Sequence, residues 1–253
     1  MLNIESDDSV NALLRLRGLN DEEFVKSHYV VFATKNGTVK KTCLEAYSRP
    51  RANGVNAINI LEGDEVVDVR LTNGKNEIIL ANRNGRAVRF DEDAVRSMGR
   101  VSTGVRGMQL DGDDDQVVGM IIVNNAETET VMVVSENGYG KRSQVEDYRK
   151  TNRGGKGVKT FSITEKTGRL VAIKNVTDEN DLMIINKSGI AIRLAVSDCR
   201  VMGRATQGVR LINLSKKNDV IASVCKVMSS ELEAKLADDQ NTPEEQDATT
   251  EKE

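Results

Sequence analysis

The chain has 253 residues, 38% apolar and only 3% aromatic, with no Trp and no apolar run near 18 residues. That length suffices for a packed core, while the scarce aromatics argue against a row of stacking platforms for single-stranded bases, and neither export nor membrane insertion is indicated. The net charge of −3 is unevenly spread: positions 229–253 carry nine acidic residues against two lysines, which leaves 34 basic and 30 acidic residues in the body. A mildly basic body with a strongly acidic tail hints at nucleic-acid contact. Cys43, Cys199 and Cys225 are far apart, odd in number and without metal-ligand spacing, as expected of reduced thiols in a cytoplasmic protein.

In chain order, Leu2-Asn3-Ile4, an acidic turn at Asp7 and Asp8, and Val10 to Leu16 mirror Ile58-Asn59-Ile60, Gly63-Asp64 and Val66 to Leu71. The chain is therefore expected to open halfway through a repeating unit. Four units follow, near 27–72, 73–123, 124–176 and 177–227. Each begins with one phrase: VVFATKNGTVKK from Val30, IILANRNGRAVR from Ile78, VMVVSENGYGKR from Val131 and LMIINKSGIAIR from Leu182. An apolar run, Asn-Gly or Ser-Gly, then a second run reads as a hairpin, with Asn-Gly fitting a two-residue type I′ turn. The hairpin glycines are Gly37, Gly85, Gly138 and Gly189, at steps of 48, 53 and 51 residues. A second glycine set, Gly54, Gly104, Gly157 and Gly208, is followed each time by Val and then by alternating apolar pairs (Ile58 and Ile60, Met108 and Leu110, Phe161 and Ile163, Ile212 and Leu214). That period of two predicts a half-buried strand. A last apolar run closes each unit: Val66 to Leu71, Val117 to Val123, Leu170 to Val176 and Val220 to Val227. Four strands per unit at this period predict an all-β, propeller-like array of four full repeats and part of a fifth. Beyond it, Ser230 to Glu233 offers a capping box, and the residues past Asp238 are expected to be disordered.

Charge keeps the same register. Four places after the hairpin glycine stand Lys41, Arg89, Arg142 and Arg193, with Lys40, Arg86 and Lys141 nearby. Two places after the second glycine stand Arg106, Lys159 and Arg210, with Asn56 in the first unit. Four places before it stand Arg100, Arg153 and Arg204, and in the first unit Arg49 and Arg51 flank Pro50. Equivalent positions occupy equivalent places on successive blades, so these cations are expected to line one rim, where a duplex presents evenly spaced phosphates. Arg153-Gly154-Gly155-Lys156-Gly157 is not a nucleotide-binding P-loop, because Gly and Val follow Lys156 and a strand pattern comes next. It reads instead as a glycine loop offering backbone amides and two cations to phosphate. His28 is the only histidine, and the acidic turn Asp111 to Asp115 lacks the terminal Glu of a calcium loop. No catalytic constellation, metal site or cofactor site is expected. A protein-interaction propeller without a DNA role is the alternative reading.

Asn36 to Thr42 (NGTVKKT), Thr103 to Leu110 (TGVRGMQL), Glu136 to Arg142 (ENGYGKR) and Gly203 to Val209 (GRATQGV), ahead of an acidic tail, resemble the family of C-terminal domains found in the gyrase A protein of DNA gyrase. The corresponding protein of topoisomerase IV, which carries a related, more degenerate domain, is the nearest alternative, and the regularity of the four units favours gyrase. The resemblance covers nearly the whole chain and implies a β-pinwheel, a disc whose blades exchange strands and whose basic rim wraps duplex DNA. It implies as partners the remainder of the gyrase A protein and also gyrase B, in the bacterial cytoplasm at the nucleoid. Cleavage by an upstream tyrosine and ATP hydrolysis with Mg2+ in gyrase B are implied to lie outside this stretch, so none of its four tyrosines takes that role. The family usually has six units and a signature Gln-Arg-Arg-Gly-Gly-Lys-Gly in the first; here the repeat-equivalent segment Thr151 to Gly157 has Thr151 and Asn152 in the first two places. The acidic tail of this chain, residues 229–253, is expected either to add solubility or to compete with DNA for the basic rim.

Overall fold

The computed structural model describes residues 9–51, 53–214 and 219–229. Apolar runs punctuated by glycine turns form fifteen strands among these residues. The hairpins are β1 (Tyr29–Thr34) with β2 (Thr38–Cys43), β4 (Glu77–Asn82) with β5 (Arg86–Asp91), β8 (Thr130–Ser135) with β9 (Tyr139–Gln144), and β12 (Asn180–Asn186) with β13 (Ala191–Ala195). Between them lie β3 (Val66–Thr72), β7 (Val117–Val123), β11 (Leu170–Val176) and β15 (Ile221–Met228), and the two-residue strands β6 (Val105–Arg106), β10 (Val158–Lys159) and β14 (Val209–Arg210). The sheets read β3-β1-β2-β6, β7-β4-β5-β10, β11-β8-β9-β14 and β15-β12-β13.

This order is a strand exchange. β6 belongs in sequence to the second repeat but pairs antiparallel with β2 of the first, as β10 does with β5 and β14 with β9. The strands β3, β7, β11 and β15 contact one another in succession and form the hub, so the exchanged strands lie on the outside. The faces of neighbouring sheets make the cores. Val31, Ala33 and Val39 pack with Ile78, Leu80 and Val88; Ile79 and Ile121 pack with Val131, Val133 and Tyr148; Met132 and Val134 pack with Leu182, Ile184 and Val224. Each core thus needs two blades, which is how short strands obtain two-sided burial.

The hairpin turns close one residue earlier than an Asn-Gly type I′ turn. Gly37 N–H donates to Thr34 O at 3.0 Å and Gly85 N–H to Asn82 O at 3.2 Å, with φ of 85° and 80°, so glycine takes the left-handed position that follows the turn. It also has a docking role. Gly37 O accepts from Gly107 and Met108, and a Cβ on Gly37 would stand 2.7 Å from Met108 O. Only a residue without a side chain lets the exchanged segment approach this closely.

Several expectations are corrected. Unit four supplies four strands, β12 to β15, but among the described residues its sheet keeps three of them because β14 is exchanged onto β9, which leaves β13 at an edge. Residues 9–16 and 55–60 adopt no regular strand, and Ile60 is 43% exposed. The second-glycine strands are two residues long because beyond them Met108 and Phe161 turn into the inter-blade cores instead of continuing a ladder. A short helix, α1 (Glu22–Ser27), was not anticipated; the Asp21 carboxylate caps it by accepting from Glu23 and Phe24 N–H. The capping box and residues 230–253 of the acidic tail lie outside the described residues.

Candidate nucleic-acid interface

The most regular cations prove to be internal. Lys41, Arg89 and Arg142 are 5%, 9% and 7% exposed. Each reaches sideways into the next blade, where a short 3-10 turn follows the hairpin: Glu92–Ala94, Val145–Asp147 and Val196–Asp198. Lys41 Nζ donates to Glu92 O at 3.2 Å, Arg89 to Val145 O at 2.9 Å, and Arg142 to Val196 O at 2.9 Å, so all three cap the first residue of that turn. Carboxylates complete the sites: Glu92 beside Lys41 at 3.6 Å, Glu77 on Arg89 at 2.6 Å and Asp178 on Arg142 at 2.6 Å. Burial alone would raise the Glu77 carboxyl, but Arg89 and Lys150 hold it below the usual range. Arg193 lies at the same repeat position on sheet four; it is exposed and bonds Asp181 at 2.7 Å and Met228 O at 2.6 Å. Lys41, Arg89 and Arg142 are thus blade-to-blade clamps, and for these three the expectation that they line a rim is corrected, whereas Arg193 stays exposed with bonds to its own sheet. Their recurrence has a physical cause: each turn leaves a buried carbonyl that requires a donor.

Lys40 and Lys141 are also sealed, at 0% and 1% exposure. Lys40 Nζ donates to the carbonyls of Ala57 and Arg100, and Lys141 Nζ to Gly203 O at 2.7 Å. Burial, with Arg100 adding to it, lowers the Lys40 amine to about 8. Burial lowers Lys141 to about 7, with Asp147 opposing and Arg204 assisting.

The exposed set is carried by the exchanged strands. Arg106, Lys159 and Arg210 stand at one rung on three successive sheets, opposite Thr38, Arg86 and Tyr139. Arg210 rests its guanidinium on Tyr139 Oη at 2.9 and 3.1 Å, and Arg86 bonds Gly157 O at 3.2 Å. Arg49 and Arg51 are exposed and Arg100 is half-buried. The loop arginines tie the rim together: Arg153 donates to Ala94 O at 2.8 Å and Arg106 O at 3.0 Å, and Arg204 to Lys159 O at 2.7 Å.

Part of the glycine loop is committed to packing and internal hydrogen bonds. The Gly154 amide is already spent on Gly107 O at 2.7 Å, and Gly155 O accepts from Gln109 N–H. Gly157, at φ 72°, lies so near Ala87 that a Cβ would stand 2.3 Å from its carbonyl oxygen. Lys156 is exposed but paired with Asp111 at 2.6 Å. Gly154 and Gly157 thus pack backbone on backbone, while Gly155 has no neighbour nearer than 3.9 Å to an added Cβ, and the loop borders an open cleft of about 510 Å3 flanked by Arg149, Asn152 and Lys156.

One set escaped the sequence reading. Arg96, Arg149 and Arg200 are all exposed and stand eight residues before Gly104, Gly157 and Gly208. The residues after them, Ser97, Lys150 and Val201, form parallel bridges to Lys41, Arg89 and Arg142. Their backbone is thus fixed while their guanidiniums have no ion pair or hydrogen bond among the described residues. Counting back eight places from the second glycine, rather than four, would have found them. Among the described residues no group of three or more His, Cys, Asp and Glu side chains is placed to hold a metal ion, and no helix is long and apolar enough to cross a membrane.

Comparison with known proteins places this architecture. The family described as DNA gyrase C-terminal domain, beta-propeller, matches residues 28–73, 76–124, 129–177 and 180–225. The DNA gyrase A protein of Staphylococcus aureus (strain NCTC 8325 / PS 47) is 41% identical over 249 residues, which is 98% of this chain and 27% of that protein, and that of strain MRSA252 is 41% identical over 244 residues, 96% of this chain and 26% of that protein. The chain thus spans about a quarter of the length of the curated relatives it matches. Among solved structures, a DNA gyrase A C-terminal domain superposes with a TM-score of 0.78 at 23% identity, covering 90% of this chain and 73% of that one. The C-terminal domain of a DNA topoisomerase IV gives 0.75 at 29% identity, covering 84% and 67%. With four consecutive blades matched and the pinwheel exchange of strands in place, the chain belongs to the DNA gyrase C-terminal domain family.

Proposed function

We propose that this chain binds, bends and wraps duplex DNA without reading its sequence, as the C-terminal part of a gyrase A protein in a type II topoisomerase. The observation that carries this reading is the repetition of Arg106, Lys159 and Arg210 on three exchanged strands, accompanied by Arg96, Arg149 and Arg200. Cations fixed at one rung per blade match a backbone-directed grip, in which phosphate contacts set register and carry no sequence information. Bending 20–30 bp by 40–90° costs on the order of 1–6 kcal/mol. Six to eight phosphate contacts, counting Arg49 and Arg51, offset that cost and give a log–log salt slope of about −5 to −7. The buried clamps Lys41, Arg89 and Arg142 contribute by holding the blades in phase rather than by touching phosphate.

In this reading the chain performs no catalysis and needs no cofactor of its own. It serves ATP-dependent negative supercoiling by the assembled gyrase A and gyrase B proteins at the bacterial nucleoid, and the acidic tail competes for the rim. The test is a topology assay. Relaxed plasmid incubated with the chain and topoisomerase I should retain a linking-number change of one sign after deproteinisation, and affinities for unrelated duplexes should agree. No trapped change together with a slope shallower than about −2, or a strong preference for one sequence, would overturn the reading.

A further inference from the structure

Lys40 and Lys141 occupy one place in the repeat, three residues after the hairpin glycines Gly37 and Gly138. The other two blades place Val88 and Ile192 there, so the fold accepts an apolar side chain and does not need an amine to fill the space. Neither lysine has a carboxylate within ion-pairing distance among the described residues. Each donates instead to a main-chain carbonyl of the segment directly above it. Gly203 O, bound by Lys141, lies between Arg200 and Arg204; Arg100 O, bound by Lys40, ends the segment that begins at Arg96. Two lysine amines are thus sealed beneath the two rim segments 96–100 and 200–204.

The charged surroundings are few. Asp147 favours the Lys141 charge and Arg204 opposes it. Arg100 opposes the Lys40 charge, and the Phe32 ring lies 5.3 Å from its Nζ. Desolvation dominates in both, leaving the amines at about 7 and about 8. A neutral amine still donates to its carbonyl, so the latch holds on both sides of the titration; only the charge beneath the rim changes.

We infer that Lys40 and Lys141 are positioning residues whose buried protons are coupled to occupation of the rim: phosphates settling over 96–100 and 200–204 favour the ammonium form below, and binding draws protons from solvent onto the two Nζ atoms. This coupling rests on the DNA-wrapping reading. It makes binding weaken as pH rises through the titration range, because the free chain must then acquire the protons that the complex holds.

The experiment is calorimetric titration of the full chain with a mixed-sequence duplex at pH 7.5, in buffers of different ionisation enthalpy. Uptake on the order of one proton per chain is expected, most of it at Lys141. It should fall to a minor part in Lys141→Ile and vanish when Lys40→Val is added, both being residues that other blades already use at this place. His28→Gln serves as the control for the single histidine and should leave uptake unchanged. Binding without proton uptake, or uptake that survives the double variant, overturns the coupling alone; failure to bind any duplex overturns the wrapping reading and the coupling with it. A lysine-selective NMR titration of the free wild-type chain provides an arm without DNA or variants, and ordinary values near 10.5 for both amines would also overturn the coupling.

Discussion

Two rings of cations follow the same blade period and do opposite things. Lys41, Arg89 and Arg142 sit on the second hairpin strand of three successive blades, buried and bonded to carbonyls and carboxylates, and point along the array into the next blade. Arg106, Lys159 and Arg210 sit on the exchanged strands and are open to solvent, as are Arg96, Arg149 and Arg200 beside them. The residue types are the same; depth and the nearest unsatisfied carbonyl decide the role. A repeat preserves an environment, and a buried carbonyl at every blade junction is as good a reason for a recurring arginine as a phosphate outside.

The largest effect should come from the inner ring. Arg89→Met strands the carbonyls of Val145 and Tyr148 and removes one of the two partners of Glu77. It should cost about 3 kcal/mol or more, a fall in Tm on the order of 10 °C in a thermal melt. Arg193→Met, at the exposed end of the series, should cost about 1 kcal/mol. Equal losses would erase the distinction between the two settings. On the outer ring the readouts reverse. Replacing Arg106, Lys159 and Arg149 together by alanine should leave the melt within about 1 kcal/mol of wild type. It should also reduce the magnitude of the salt slope for duplex binding by about 3. A destabilised fold with an unchanged slope would move these residues into the structural class.

A pH series sharpens the comparison further. Burial holds Lys141 and Lys40 at about 7 and about 8, below the ordinary lysine value of 10.5. Between those limits the unfolded chain binds more protons than the folded one, so stability rises with pH across that window. The melting temperature should climb by a few degrees from pH 7 to pH 9, while duplex affinity falls over the same interval. The Lys40→Val and Lys141→Ile pair should flatten both. The smallest contrast is between two glycines. Gly157→Ala drives a Cβ against Ala87 O and should undo the docking of its loop, whereas Gly189→Ala meets nothing within 4 Å and should cost only its left-handed φ, about 1 kcal/mol.

The hairpins, their period and the all-β class were legible because Asn-Gly and Ser-Gly sit between apolar runs at a fixed step, and a turn is a local event. The exchange was not legible from periodicity alone, since β6, β10 and β14 are two residues long and their partners lie more than 60 residues away in the chain, as with Thr38 and Arg106. The site was half legible. Position on the repeat could be counted, but depth could not, because the fourth residue after the hairpin glycine faces the next blade only once that blade is in place. Lys40 and Lys141 defeat composition rules for the same reason, as lysines are rarely fully buried. The helix α1 was missed because six residues carry too little periodicity, although Asp21 with Glu22 and Glu23 was a cap signal in plain view.

The exchange also has a mechanical side. Each outer strand is covalently part of one repeat and hydrogen-bonded to the sheet before it, like a roof tile fixed in its own row and resting on its neighbour. A pull on Arg106 is resisted by β2 through the ladder and by the second blade through the chain, and the Arg153 guanidinium on Arg106 O adds a strap from the third. Load applied at one point of the edge is therefore spread over three rows. Cutting the chain at a repeat boundary would leave two rows loose, so the smallest removable tile is larger than the repeat that the eye finds in the sequence.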